Sequence, residues 1–144
     1  GVLEAEIAAG HPMLVESAVR DEGTSYHYLP PGGEVAAHPA GIEAIEAVLK
    51  ERGIEYRRVK TWTTDGIYRE TENRRALRKA QGCAVVEMEA AAFMAVSQFR
   101  GAIFGQLLYG GDLVVPEGWD SRDWGKRGSD RRLLFDLAVG HFLA

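Results

Sequence analysis

The chain has 144 residues, of which 46% are hydrophobic and 26% are charged, and its formal net charge is −4. This composition is typical of one globular domain over residues 1–144, and we expect that domain to be cytoplasmic. The mild acidity disfavours a nucleic-acid partner. No apolar stretch approaches the ~20 residues that are needed to cross a bilayer, so we expect no membrane partner.

Cysteine and histidine usage gives little sign of special chemistry. The single cysteine, Cys83, lies in an apolar run, which favours a buried, inert thiol in a reducing compartment. The four histidines have no spacing typical of metal ligands, so the sequence predicts no metal site.

The first half of the chain is predicted to contain two strands and one helix. Residues 13–20 favour a strand, and the glycines and prolines of 21–34 predict a loop. Apolar residues recur at spacings of three and four over 38–53, which predicts a helix. Residues 54–62 predict a second strand that leads into the polar stretch 63–71.

The second half is predicted to add, in order, a polar helix, a buried strand, an alanine-rich helix, an apolar strand, a loop and a last helix: 72–81, 83–87, 89–99, 102–109, 110–128 and 129–143. The alternation of strands and helices predicts an α/β fold, with a largely parallel or mixed sheet covered by helices. Four basic residues of the polar helix are interpreted as a solvated face: Arg74, Arg75, Arg78 and Lys79.

Three polar stretches follow three of the predicted strands. They are residues 63–71, 87–89 and 110–112. In parallel sheets, ligands bind beyond the carboxyl ends of the strands. We therefore expect these stretches to open onto one rim of the sheet.

Two carboxylates, Glu87 and Glu89, flank Met88 where a buried strand gives way to a helix. If the strand continues through Glu89, both carboxylates project to the same side. Glu89 is either a favourable first-turn residue at the positive end of a helix dipole, or a carboxylate that accepts the two hydroxyls of a vicinal diol such as that of ribose. In the second case, Met88 offers an apolar surface to the sugar ring.

The segment VVEMEAAAF (85–93) resembles the ribose-binding signature of the nucleoside phosphorylase family, which includes purine nucleoside phosphorylases, uridine phosphorylases and methylthioadenosine/adenosylhomocysteine nucleosidases. TTDGIYRE (63–70) resembles the family's Ser/Thr-Asp-x-Phe-Tyr segment, and LLYGGD (107–112) resembles the strand that ends in Ser-Asp. The resemblance spans residues 10–143, in the family's order. It implies the family's α/β fold and cleavage of the N-glycosidic bond of a nucleoside, with phosphate as co-substrate and no other cofactor. The choice between phosphate and water as the nucleophile stays open.

The resemblance also implies residues that bind the substrate. Glu89 would hold the 2′ and 3′ hydroxyls of ribose, Met88 would pack on the sugar, and Glu87 would lie with them. Ile67 would replace the aromatic residue beside the base, followed by Tyr68. Because isoleucine has no aromatic face, this replacement keeps an apolar wall but loses stacking.

Asp112 matches the family's acid, which in the purine branch protonates or hydrogen-bonds N7 as the glycosidic bond breaks. General acids typically contribute ~10²–10⁴-fold. Arg127 is the implied catalytic partner, with Arg122 and Arg131 as alternatives. The other interpretation of Asp112 is a turn residue in a Gly-Gly-Asp loop. A purine is favoured, because this acid is matched and the uridine branch's Gln-x-Arg insertion is not found.

Two further stretches match the family. Asp65 stands at a family aspartate whose commoner role is to anchor a loop. RDEGTSYHY (20–28) resembles a stretch before the first loop over the site, where Ser25, His27 and Tyr28 could line the pocket. His27 is alternatively an ordinary exposed loop histidine.

The resemblance covers only the C-terminal portion of the family, so we expect a partial domain, truncated on its N-terminal side and without the family's phosphate site. Three explanations stay open: a fragment of a longer enzyme, a short relative that rebuilds the site by pairing, and a catalytically inactive nucleoside-binding or assembly module. An unpaired sheet edge and uncovered apolar surface favour a homo-oligomer in the last two cases. A flavodoxin-like scaffold with an accidental resemblance is a further alternative.

Overall fold

The computed structural model describes residues 1–142 and contains one five-stranded sheet. Its strands are β1 (Pro12–Asp21), β2 (Glu34–Ala36), β3 (Arg57–Thr64), β4 (Cys83–Glu87) and β5 (Leu107–Tyr109). The order is β2–β1–β3–β4, and β5 also pairs with β1. β1, β3 and β4 are parallel, while β2 and β5 run antiparallel to β1. The predicted α/β fold with a largely parallel, mixed sheet is confirmed.

Helices cover the sheet: α1 (Pro39–Glu51), α2 (Glu72–Ala80), α3 (Ala90–Arg100) and α4 (Gly128–Phe142). Each lies within one or two residues of a predicted helix, although residue 143 falls outside the described residues. Within residues 1–142, no helix combines the length and apolar character needed to cross a bilayer.

The core forms where the helices meet the sheet. Val15 of β1 packs in one buried cluster with Met94 of α3. Leu49 of α1 packs with Leu137 of α4 in another. Trp62 of β3 is fully buried in a third. Burying a large apolar side chain contributes about 1.5–3 kcal/mol, so these contacts fix the sheet that positions the cavity described below.

The strand predicted over residues 102–109 is mostly wrong, because only its last three residues form β5. The preceding segment lies directly against α1 instead. Gly41 of α1 packs so closely on the backbone of Phe104 and Gly105 that any side chain at Gly41 would collide with the Phe104 carbonyl group. Two glycines therefore allow a backbone contact that apolar patterning alone does not reveal.

The two predicted loops contain regular structure. Residues 21–34 include a 3-10 turn, Thr24–His27, and the first residue of β2. Residues 110–128 include a hairpin of β6 (Leu113–Val115) and β7 (Gly118–Asp120). Strands of three residues are too short to establish an alternating pattern, so hydrophobic patterning does not predict them.

The chain start joins this hairpin to the main sheet. Val2 forms a bridge to Val85 of β4 on one side and to Leu113 of β6 on the other. The Leu3 amide donates to the Ala84 carbonyl at 2.8 Å, and the Val114 amide donates to the Val2 carbonyl at 2.9 Å. Residues 1–3 therefore act as a splint between β4 and the hairpin.

Residues 110–112 reach the common rim by a different route from the one that the sequence predicts. Because β5 is antiparallel to β1, its carboxyl end lies beside Pro12, at the opposite edge from the carboxyl ends of β3 and β4. The chain then returns along the splint, where the Val2 amide donates to the Asp112 carbonyl at 2.8 Å. Residues 110–112 thus reach the rim by this return rather than as the end of a parallel strand.

Candidate functional site

A cavity of about 470 Å³ opens beyond the carboxyl ends of β3 and β4. All three polar stretches contribute to it, so the expected convergence on one rim is confirmed. Its polar lining consists of Glu70, Arg75, Glu87 and Asp112. Its larger apolar walls are Ile67, Met88, Trp119 and Trp124.

Glu87 lines the cavity, but both of its carboxylate oxygens are bound by the protein. One oxygen accepts hydrogen bonds from the hydroxyls of Thr61 and Thr63, at 3.0 and 2.6 Å. The other accepts from the backbone amides of Glu89 and Ala90, at 2.7 and 2.6 Å. Glu87 therefore caps the start of α3 and fixes the main chain of the residues that follow it.

Met88 and Glu89 project from this fixed turn. Met88 is 40% exposed and lines the cavity. Glu89 occupies the N-cap position of α3 without a capping bond from its side chain, and it is exposed beside Met88 rather than part of the cavity lining. The helix begins at Ala90, so Glu89 precedes the first turn that the sequence assigned to it.

Only one of the two residues predicted beside the base lines the cavity. Ile67 lines the cavity and is 54% exposed, whereas Tyr68 is 97% exposed and lies outside the lining. Asp65 accepts a hydrogen bond from the Gly23 amide at 2.9 Å, which fits the loop-anchoring interpretation.

The stretch RDEGTSYHY holds a loop together and does not reach the cavity lining. The buried Arg20 guanidinium donates to the Ser25 hydroxyl and the Pro30 carbonyl, both at 2.8 Å, and lies 4.2 Å from the Tyr26 ring centroid. Ser25 is fully buried by these contacts, and His27 is exposed. This stretch therefore serves packing in the described chain.

Asp112 is held by an indole that sequence reasoning missed. The Trp119 Nε1–H of β7 donates to Asp112 Oδ2 at 2.7 Å, and Oδ1 lies 3.4 Å from the amino group of Gly1. Trp124, in the 3-10 turn after the hairpin, lines the same cavity. Neither tryptophan belongs to a matched motif, because the hairpin that places them is too short to predict.

The three candidate arginines bind elsewhere. Arg127 lies 3.3 Å from both the Ala9 carbonyl and the Asp130 carboxylate. Arg122 donates to the Ile7 carbonyl at 2.6 Å, and Arg131 donates to a carbonyl in the preceding turn at 3.0 Å. Among residues 1–142, the hydrogen bond to the Asp112 side chain comes from Trp119 rather than from any of these arginines.

Glu70 and Arg75 are the other polar residues that sequence reasoning did not place in a site. Burial raises the pKa of the half-buried Glu70, and the charge of Asp112 adds to this rise, while Arg75 and the Gly1 amino group oppose it. Arg75 Nε is buried without a hydrogen-bond partner in the described part of the chain. The charge pattern of α2 does not predict the position of Arg75, because basic residues at helical spacing are typical of an exposed face, whereas Arg75 lines the cavity.

The three arginines of α2 are partly buried rather than solvated, whereas Lys79 is exposed as predicted. Arg78 and Arg74 lie 3.0 and 3.6 Å from Asp21 at the end of β1. Leu77, by contrast, is half exposed. The arginine side of α2 faces the sheet and the cavity, and an apolar side chain faces solvent.

The chain is an α/β protein with a cavity at the carboxyl edge of a mainly parallel sheet, which is where ligands bind in such folds. The family model described as the phosphorylase superfamily matches residues 1–131. The chain therefore belongs to the phosphorylase superfamily.

Three solved structures have a similar fold. The P. knowlesi homologue of P. falciparum PNP has a TM-score of 0.75 and 15% identity, over 96% of this chain and 55% of that chain. Uridine phosphorylase from Vibrio fischeri has a TM-score of 0.70 and 22% identity, over 95% and 54%. AMP nucleosidase from Bacteroides thetaiotaomicron has a TM-score of 0.65 and 27% identity, over 71% and 45%.

The chain spans about half the length of these solved relatives. No curated protein gives a significant match.

Proposed function

We propose that the chain forms the nucleoside-binding part of an enzyme that cleaves the N-glycosidic bond of a purine nucleoside. The observation that carries this proposal is the convergence of three segments, represented by Ile67, Met88 and Asp112, on one cavity in a member of the phosphorylase superfamily. The cavity has aromatic and apolar walls and charged groups, which suits a flat heterocycle joined to a sugar.

The base is proposed to lie against Trp119 and Trp124. Both indoles line the cavity and remain partly exposed, so their faces are accessible to a ligand. Stacking of a base on an aromatic side chain contributes about 1–3 kcal/mol. These indoles would supply the aromatic surface that Ile67 lacks, with Asp112 at the edge of the base.

The ribose is proposed to lie at the mouth of the cavity, on Met88 and beside Glu89. Met88 offers an apolar surface, and the exposed Glu89 carboxylate can accept two hydroxyls at once. Glu87 supports this arrangement indirectly, because it holds the Glu89 amide at 2.7 Å. In this proposal Glu87 positions the sugar-binding residues and does not itself bind the sugar.

Phosphate is the proposed nucleophile, with no other cofactor. Because the chain spans about half the length of its solved relatives, we propose that the groups that bind phosphate come from a further segment or from another subunit. The proposed location is the cytoplasm.

Turnover of inosine, adenosine and uridine by the full protein, each with and without phosphate, tests the proposal. We expect phosphate-dependent release of a purine base, and a KM at least about tenfold higher for Glu89→Gln, since two hydrogen bonds to a charged acceptor are weakened. Glu55→Gln is the matched control and should change neither kcat nor KM, because Glu55 is exposed and lies just before the amino end of β3, at the opposite edge of the sheet from the cavity. If no nucleoside is converted and calorimetry detects no binding, the proposal is rejected.

A catalytically inactive assembly module is the second candidate. Phe93, Phe99 and Ile103 leave apolar side chains 50–65% exposed on α3 and the segment after it, which favours association. We propose a homo-oligomer through this surface. Sedimentation velocity should show a smaller species for Phe99→Ser but not for Leu77→Ser on α2, and a module of this kind would bind a nucleoside without converting it.

A further inference from the structure

We propose that Trp119 positions the carboxyl group of Asp112 against the departing base through its indole N–H, an inference that rests on the proposed function. Asp112 is the acid that the matched motif implies beside the base, and it lines the cavity. A carboxyl group can assist the base only within hydrogen-bond reach of it, about 2.6–3.2 Å. The contact that sets the direction of this carboxyl group therefore matters for the rate.

One side chain holds the Asp112 carboxylate. The Trp119 Nε1–H donates to Asp112 Oδ2 at 2.7 Å, at the short end of the range for a bond to a charged oxygen. Among residues 1–142, no other side chain donates to this carboxylate. Oδ1 lies 3.4 Å from the main-chain nitrogen of Gly1, which is longer than an ordinary hydrogen bond. The indole is thus the group that directs the carboxylate.

Asp112 needs such a contact because its own position restrains the side chain little. It follows Gly110 and Gly111 in the segment after β5, and its side chain is 24% exposed. The Val2 amide holds the Asp112 carbonyl at 2.8 Å, but this main-chain bond leaves the side-chain torsions free. Without the indole bond, the carboxylate could rotate towards solvent and away from the base.

The hairpin of β6 and β7 brings the indole and the carboxylate together. Trp119 pairs with Val114 in the register of the hairpin, and Asp112 precedes Val114 by two residues. By the two-residue period of an extended chain, both side chains lie on the same face. They are diagonal neighbours, which lie within reach of each other when one is aromatic. The acid and its donor therefore belong to one local unit.

The indole keeps its faces available while it holds Asp112. Its N–H lies in the ring plane and only donates, so the bond uses the edge of the ring. Trp119 is 63% exposed and lines the cavity, so a base stacked on it would meet the held carboxylate at its own edge. One residue would then provide both the proposed stacking surface and the direction of the acid.

The indole takes no proton in the proposed reaction. The electron pair of the C1′–N bond passes to the base, and a ring nitrogen of the base takes a proton from the Asp112 carboxyl group. An oxygen of phosphate bonds to C1′ in place of the base, and solvent returns a proton to Asp112. Misplacing a catalytic group by about 1 Å costs about 10²-fold in rate, so loss of the indole bond should lower kcat by about 10–100-fold.

The test replaces Trp119 in the full protein with benzothienylalanine, in which sulfur takes the place of the N–H while the size and the aromatic face are kept. The matched control is the same replacement at Trp62, whose Nε1–H donates to Asp21 Oδ2 at 2.9 Å, outside the cavity lining. Each variant is assayed with phosphate on a purine nucleoside and on p-nitrophenyl β-D-ribofuranoside, whose phenolate leaves without being protonated.

The Trp119 replacement should lower kcat for the nucleoside by about 10–100-fold and change KM by less than about threefold, because the stacking face is kept. The p-nitrophenyl reaction should slow by less than about threefold, because its leaving group needs no acid. In an Asp112→Ala background, the same replacement should have no further effect on the nucleoside reaction. The Trp62 replacement should lower the Tm and leave the ratio of the two rates unchanged.

Equal slowing of both substrates, a rise in KM alone, or an undiminished effect in Asp112→Ala would overturn the inference while the proposed function stands. If the wild type converts no nucleoside, the proposed function fails and this inference fails with it. A readout without turnover is the indole ¹⁵N–¹H spectrum, in which the Trp119 signal is identified by its loss in Trp119→Phe. That signal should move in Asp112→Ala while the Trp62 signal stays in place, and an unmoved Trp119 signal also overturns the inference.

Discussion

Replacing Glu87 by glutamine tests whether this residue organises the site from within. Four donors converge on its carboxylate, two from Thr61 and Thr63 and two from the start of α3. Hydrogen bonds to a charged group contribute about 1.5–3 kcal/mol and neutral ones about 0.5–1.5 kcal/mol, so each bond should weaken by about 1 kcal/mol. The threonine hydroxyls can rotate, and the four bonds belong to one network. We therefore expect the free energy of unfolding to fall by about 3 kcal/mol, which is less than the sum over the four bonds.

Urea denaturation measures this loss, and a thermal scan should show a Tm lower by roughly 10 °C for a domain of this size. The matched control is Glu89→Gln, the same substitution two residues away, where no internal bond is lost. It should cost less than about 1 kcal/mol, the typical magnitude of a charge near a helix N-terminus. Hydrogen exchange of the Glu89 and Ala90 amides should quicken only in Glu87→Gln. Equal effects of the two substitutions on stability and exchange would refute the reasoning.

Three further outcomes are expected. Burial raises the pKa of Cys83 to about 11, so a thiol reagent at pH 8 should label this residue only after unfolding, and labelling of the folded protein would contradict the burial. Burial alone would raise the pKa of Asp21, but the hydrogen bonds from Arg78 and Trp62 and the charges of Arg78 and Arg74 together lower it. The stabilisation is therefore present above the ordinary pKa of 3.8 and is lost as the pH falls below it. Asp21→Asn should therefore cost about 1–2 kcal/mol at pH 7 and little at pH 2 in urea denaturation, whereas a constant difference would argue against the ion pair. Gly41→Ala should destabilise the protein by about 1–3 kcal/mol through collision with the Phe104 carbonyl, and an unchanged Tm would exclude that contact.

The elements that the sequence predicted well are those with a long or buried pattern. β4 carries a continuous buried run, β1 carries two buried runs separated by Glu16 and Ser17, and the C-cap of α3 is Gly101, whose φ of +64° suits glycine. The hairpin of β6 and β7 was missed because each strand has only three residues. Its position depends on residues 1–3, which are distant in sequence, and periodicity does not report such contacts.

The residues of the candidate site likewise fall into two groups, those that the local sequence predicts and those that only tertiary packing places. The motif around Met88 placed this residue at the cavity, because a strand end followed by a helix start is encoded locally. Trp119 and Arg75 enter the cavity through tertiary packing, so local spacing could not assign them. The roles of Glu89, Asp112 and Arg127 stay predictions. The structure places Asp112 in the cavity lining, whereas Arg127 contacts the Ala9 carbonyl and the Asp130 carboxylate.

The splint formed by residues 1–3 has a consequence for the position of one cavity wall. One wall includes the end of β4, at Val86 and Glu87, while Trp119 belongs to a hairpin tied to β4 through Val2. The position of the Trp119 indole relative to β4 therefore depends on a few main-chain hydrogen bonds of residues 1–3. Val2→Pro, which removes the amide that donates to the Asp112 carbonyl, is accordingly expected to loosen the attachment of the hairpin to β4.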